Sequence, residues 1–252
     1  MDKVHKEKIL AKVDKLCAMY RNGMLGGEVM PEDSNPNLEK NSKENYLYFT
    51  LPMALNYQRN SYTLWECAKK TYEDEETKFV FNPNIVINKT FEEVQKALTK
   101  YKVALQKDKQ TKIWIDLCKT FVKLYGGDIR ELFIEFNNDV NEIRNFMQVS
   151  KKKDFPYLSG TKICSYWLFV IYQYTDMRYK NIECLTVAPD THVVKSTHRL
   201  GLISDEELIN SNVQKTVILR WNELFEETKY KPIDIHTILW LWSRNGFAEI
   251  CL

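Results

Sequence analysis

The stretch "FPYLSGTKICSYWLFVIYQY", residues 155–174, decides how this chain is read. Of the twelve residues from Ile163 to Tyr174, ten are apolar or aromatic; Ser165 and Gln173 are the exceptions. A helix so apolar on every face is expected in the middle of a protein. Pro156 and the Ser159-Gly160 pair ahead of it predict a tight turn, so Lys162 falls in the first helical turn. There an ammonium faces the positive end of the helix dipole, the unfavourable end for a cation. Partial burial and the dipole would both favour the free amine. A free amine near neutral pH is a nucleophile for Schiff-base chemistry. The plainer expectation for an isolated lysine is that it snorkels to solvent.

Working outward, helical patterning dominates. Ile9, Val13, Leu16, Cys17 and Tyr20 repeat at helical spacing, and residues 22–45 read as a long loop rich in Gly, Pro, Asn and Ser. A helical run is predicted from Tyr46 to about Lys70, then a short extended piece or turn at "TKFVFNPN". Thr90 with Glu93 is a capping-box signature, after which Phe91, Val94, Leu98, Tyr101 and Leu105 line one helix face. Further helices are predicted over Ile113–Tyr125, stopped by Gly126-Gly127, and over Ile129–Met147. Ser204 with Glu207 caps another, Val213 to about Lys229 follows, and Asp234 is placed to cap a last helix ending at Gly246. Strands are few, so the expected class is all-α.

Composition narrows the function classes. The chain has 252 residues and 44% hydrophobic content, enough for one large domain or two lobes. A net charge of +2 does not by itself argue for nucleic acid; only a local basic face could. Cys17, Cys67, Cys118, Cys164, Cys184 and Cys251 are scattered without a CxxC, which argues against a zinc site or cysteine-held cluster and fits a reducing cytosol. The N-terminus is too charged for a signal peptide. The apolar run after Lys162 is well short of the roughly 20 residues a membrane span needs.

Downstream, "LTVAPDTHVVKSTHRLGL" sets Asp190 after Pro189, 28 positions beyond Lys162. Helix, loop, Pro-Asp and helix, with a lysine at the first helix's entrance, resembles the helix-hairpin-helix DNA glycosylases. "LSGTK" is similar to that family's hairpin, with Tyr157 and Ser159 standing where smaller residues are usual, and "APDTHV" to its catalytic aspartate loop. "ALNYQRNSYTLWE" resembles the helix that carries a base-contacting glutamine in the archaeal 8-oxoguanine DNA glycosylases, and Gln58 falls on that glutamine. "DIHTILWLWSRNG" resembles the same family's closing helix: Trp240 falls on its tryptophan, while His236 stands where the family has an acid. Tyr166 falls where the family stacks an aromatic ring. The likeness covers about residues 50–66 and 155–246.

The resemblance implies a two-lobed helical domain over residues 1–252, with about 70–160 as one lobe and about 1–69 plus 161–252 as the other, and the active site between them. It implies excision of an oxidised purine such as 8-oxoguanine, flipped from duplex or single-stranded DNA. Lys162 would attack C1′ of the sugar, and Asp190 would stabilise the developing sugar cation and orient or deprotonate the amine. Gln58, Tyr166, His236 and Trp240 would bind the base. Ser159, Gly160, Lys151, Lys152 and Lys153 would hold the DNA backbone. No metal or organic cofactor, no membrane and a monomer are implied, in a nucleoid-associated cytoplasmic or nuclear setting. His192 and His198 lie six apart without a cysteine partner at ligand spacing, so they do not make a metal site. Two alternatives stay open: an N-glycosidase acting on a modified nucleoside or nucleotide, and a non-catalytic helical DNA-binding module. A positive stripe beside Lys162 would favour DNA.

Overall fold

A computed structural model describes residues 2–25 and 30–250, and the chain is all-α, with no strand among them. No helix among these residues is long and apolar enough to cross a membrane. The five described cysteines are free, and Cys251 lies outside the described residues. The chain divides into two compact units, residues 1–29 with 182–252 and residues 30–181.

The first unit contains α1 (Lys3–Arg21), α10 (Thr191–Leu200), α11 (Asp205–Leu208), α12 (Val213–Phe225) and α13 (His236–Arg244); the second contains α2 to α9. Ile9, Val13, Leu16 and Cys17 bury one stripe of α1, as their spacing predicts, while Tyr20 at the end of that stripe is exposed. Polar groups tie the helices where apolar packing alone would allow sliding. Ser196 donates to the Leu239 carbonyl at 2.7 Å, and Trp221 donates its indole N–H to Thr197 Oγ1 at 2.9 Å. The predicted capping box of Ser204 and Glu207 is present at α11. α12 ends at Phe225, short of the expected Lys229. Asp234 does not cap α13: its carboxylate accepts from the Lys231 N–H at 3.2 Å and closes the 3-10 turn Pro232–Ile235 instead.

The second unit is built from α2 (Lys43–Thr50), α3 (Ser61–Glu73), α4 (Pro83–Val86), α5 (Phe91–Lys100), α6 (Lys107–Tyr125), α7 (Arg130–Glu135), α8 (Val140–Asn145) and α9 (Thr161–Tyr174). α9 is the apolar run, and seven of its side chains, from Cys164 to Ile171, are buried. It is fixed against α2 by two bonds. Trp167 donates to Thr50 Oγ1 at 3.0 Å, and Asn45 donates to the Tyr174 carbonyl at the helix's C-terminal end at 3.0 Å. Both ties lie within the second unit.

Three predicted helices are interrupted. The run from Tyr46 to Lys70 breaks into α2, a 3-10 turn at Pro52–Leu55 and α3. Ile129–Met147 splits because Asn137 and Asn138 both take positive φ, a conformation asparagine tolerates, and Asp139 then caps α8. α5 stops at Lys100, so Leu105 is exposed and leaves the predicted face. The Thr90–Glu93 capping box and the left-handed Gly126 that ends α6 are as predicted. "TKFVFNPN" is a 3-10 turn, Lys78–Phe81, followed by α4.

Candidate functional site

In the first unit the sequence's Pro-Asp loop and its closing helix meet. Asp190 is the N-cap of α10, and its Oδ1 accepts from the Val193 N–H at 2.9 Å. Its other oxygen, Oδ2, accepts the indole N–H of Trp240 at 3.0 Å. Each carboxylate oxygen thus has its own donor, and the group is held in one rotamer. His236 opens α13 one turn before Trp240, so both side chains lie on the same helix face. His236 is only 2% exposed and accepts, through Nδ1, a long hydrogen bond of 3.4 Å from the Ala188 N–H in the loop leading to Asp190. Asp190, His236 and Trp240 therefore belong to one cluster.

Three residues that the sequence reading did not assign to the site complete it. The His192 ring meets Trp240 edge-on, with centroids 5.3 Å apart, and its Nδ1 lies 3.1 Å from Ser243 Oγ. Burial pushes the His192 pKa down, and Asp190 works against that shift. The Arg244 guanidinium sits over the Trp240 ring, 5.8 Å from its centroid. Arg244 follows Trp240 at helical spacing, a signal the sequence carries; the pairing of His192 with Ser243 has no sequence signal.

The second unit carries the lysine. The turn over residues 155–160 is closed by hydrogen bonds from the Ser159 N–H to the Phe155 carbonyl at 2.9 Å and from the Gly160 N–H to the Tyr157 carbonyl at 3.1 Å. Ser159 also donates its hydroxyl to the Lys152 carbonyl at 3.0 Å. Tyr157 takes φ +62°, left-handed, which costs a non-glycine residue about 1–2 kcal/mol. The ring offsets this by stacking on Tyr57, with centroids 4.4 Å apart and planes 16° apart, and Lys109 lies 5.0 Å from the Tyr157 centroid. Gly160 is the N-cap of α9 and offers no side-chain cap. Lys162 follows in the first turn, as predicted, but it is exposed, not partly buried. Lys151, Lys152 and Lys153 are exposed as well.

Gln58 is not on a helix. It sits in the bend before α3 with φ +50°, next to the Tyr57 that stacks on Tyr157, so its turn is packed against the turn that precedes Lys162. Tyr166, one helical turn after Lys162, donates its hydroxyl to Glu32 Oε1 at 3.0 Å. Glu32 comes from the segment that reads as a long loop, and it is fully buried in the 3-10 turn Pro31–Asp33. Burial pushes its pKa up to about 7, with Tyr166 and the nearby Trp65 indole opposing the shift. Trp65 N–H and Glu32 Oε2 do not close a bond of normal geometry; both are buried without a partner among the described residues. No local signal marks this acid, because a Glu between Pro31 and Asp33 in a loop reads as surface.

A cleft of about 510 Å³ in the second unit, lined by Leu47, Tyr72, Phe79 and Phe81 among others, contains none of the expected site residues. No protein-family model matches the chain, and no curated protein matches it in sequence.

Proposed function

We propose that the chain is a DNA N-glycosylase with lyase activity, of the helix-hairpin-helix type that its motifs resemble, acting on an oxidised purine such as 8-oxoguanine. The single observation that carries the proposal is the Asp190–Trp240 hydrogen bond, which joins two motif residues 50 positions apart. A merely capping aspartate needs one oxygen on the backbone; this one also orients the ring expected to face a base.

The chemistry follows from residue types. The Lys162 amine attacks C1′ as the C1′–N bond to the base breaks, and the base leaves with the bonding electrons. The resemblance assigns to Asp190 the offset of positive charge on the sugar and the uptake of the amine's proton. Ring opening gives an imine. Loss of a C2′ proton then expels the 3′ phosphate, which is the lyase step. The resemblance assigns ring faces for the flipped base to Trp240 and Tyr166, and hydrogen-bonding edges to Gln58 and His236. The uncapped first turn of α9 leaves N–H groups available to a phosphate, and Ser159, Gly160 and Lys151 to Lys153 stand beside it.

The test is borohydride trapping with a panel of duplexes, each holding one lesion, scored for base release and strand nicking. Covalent capture that disappears in Lys162→Gln is the expected result. Base release from free nucleosides but not from DNA would favour the nucleosidase alternative. Binding without base release or capture on any lesion would leave only a binding module.

A further inference from the structure

In the second unit, positive charge gathers on one face of α6 and on the loop beside it. On α6, Lys109, Lys112, Lys119 and Lys123 are all exposed. At 100° per residue they share about 80° of the helix circumference, opposite the buried face of Trp114, Leu117, Cys118 and Phe121. They span about 21 Å along the axis at 1.5 Å per residue. Thr120, on the edge of the same face, donates to the Asp154 carbonyl at 2.7 Å, which fastens the loop bearing Lys151, Lys152 and Lys153 alongside. At the other end, Lys109 lies over the stacked rings of Tyr57 and Tyr157, 5.4 and 5.0 Å from their centroids.

Two observations set this face apart from an ordinary solvated one. Its seven lysines meet only three carboxylates, those of Asp108, Asp116 and Asp154, an excess of four where the whole chain's is +2. Among the described residues, the ion pairs on this face are Lys112 with Asp116 at 2.6 Å and Lys151 with Asp154 at 3.8 Å, which leaves five of the seven lysines without a carboxylate. The face also meets, through Lys109 and Tyr157, the turn that opens α9. A positive ridge ending on the exposed Tyr157 ring matches a sugar–phosphate backbone with bases beside it.

We infer that α6 is a nucleic-acid-binding ridge: Lys109, Lys112, Lys119 and Lys123 contact backbone phosphates and extend the grip of the α9 turn along the strand. The inference rests on the DNA reading of the same unit. It assigns sequence-independent affinity, not base reading, to α6.

The experiment measures binding of the full chain to an undamaged 30-base-pair duplex between 50 and 200 mM salt. It compares wild type with the triple variant Lys112→Gln, Lys119→Gln, Lys123→Gln. Three lost phosphate contacts should flatten the log–log salt slope by about 2.7. Wild type should therefore lose about 40-fold more affinity across that range than the variant. Arginine at the three positions should restore both affinity and slope. The same loss of charge from Lys3, Lys8 and Lys15, exposed on α1, should leave the slope unchanged. An unchanged slope in the α6 variant, with lesion excision intact, overturns the ridge and leaves the glycosylase reading standing. Failure of wild type to bind DNA at any salt overturns both. Binding to phosphatidylserine vesicles with no binding to DNA would reassign the ridge to a membrane surface and overturn the inference.

Discussion

Trp240 donates its indole N–H to Asp190 across 3.0 Å, so the cap of α10 and the middle of α13 are one hydrogen-bonded unit. Asp190→Asn keeps an oxygen for the Val193 N–H, and Asn is as good an N-cap as Asp. Its amide, however, presents N–H to the Trp240 N–H if the cap is kept. The expected cost is about 1–2 kcal/mol by urea unfolding. Excision is expected to slow by at least about 100-fold, the lower range for loss of a positioned acid–base group. A stable variant with the wild-type rate would reduce Asp190 to a cap.

Lys162 is exposed, and no hydrogen bond or ion pair ties its ammonium to the described residues. Lys162→Gln should therefore leave the unfolding midpoint unchanged, within about 0.5 kcal/mol as for other surface changes. Base release, nicking and borohydride capture should all vanish. Normal nicking by this variant would remove the lysine from the mechanism.

Glu32 sets a measurable pH dependence. Its pKa is raised from 4.5 to about 7 in the fold, with burial as the cause. Between those values the folded chain holds a proton that the unfolded chain has released, so stability from this group falls as pH rises. It is fully present below about 4.5 and lost above about 7, a difference of about 3 kcal/mol. Glu32→Gln keeps the shape and an acceptor for Tyr166 without the charge. Stability of the two proteins should be compared by urea unfolding at pH 4.5, 6 and 7.5; the wild type should lose ground against the variant as pH rises. Parallel curves would mean that the carboxyl is not kept from water.

Thr50 holds α9 in place by accepting the Trp167 indole N–H, while its own hydroxyl donates to the Tyr46 carbonyl. Both Thr50 and Trp167 are fully buried. Thr50→Val keeps the volume and leaves the indole unpaired, with an expected loss of about 1–3 kcal/mol. Calorimetric unfolding at neutral pH measures it. A loss below about 0.3 kcal/mol would mean that the indole finds another acceptor, well under the usual cost of an unpaired buried donor.

What could be read from the sequence alone was local. The all-α class, the Thr90–Glu93 and Ser204–Glu207 capping boxes and the stop at Gly126 all appear as expected, because each depends on groups within about one turn of the backbone. Helix entry at Lys162 was legible for the same reason, while the capping of α10 by Asp190 is a finding of the structure. The functional role of Asp190 came from resemblance, which names residue types and says nothing of contacts. Asn137-Asn138-Asp139 was a local break signal that helical periodicity outweighed in the reading.

Tertiary structure decided the rest. Gln58 left the expected helix for a left-handed bend, where packing of Tyr57 on Tyr157 supports the turn. Glu32 went inside because a Tyr166 hydroxyl from 134 positions away meets its carboxyl there. Asp190 and Trp240 paired because α10 and α13 pack together, a contact that no spacing within either motif encodes. Local hydrogen bonding fixes which residues become helix; only the packing of distant apolar faces fixes which polar groups end up facing one another, and a site is made of such pairs.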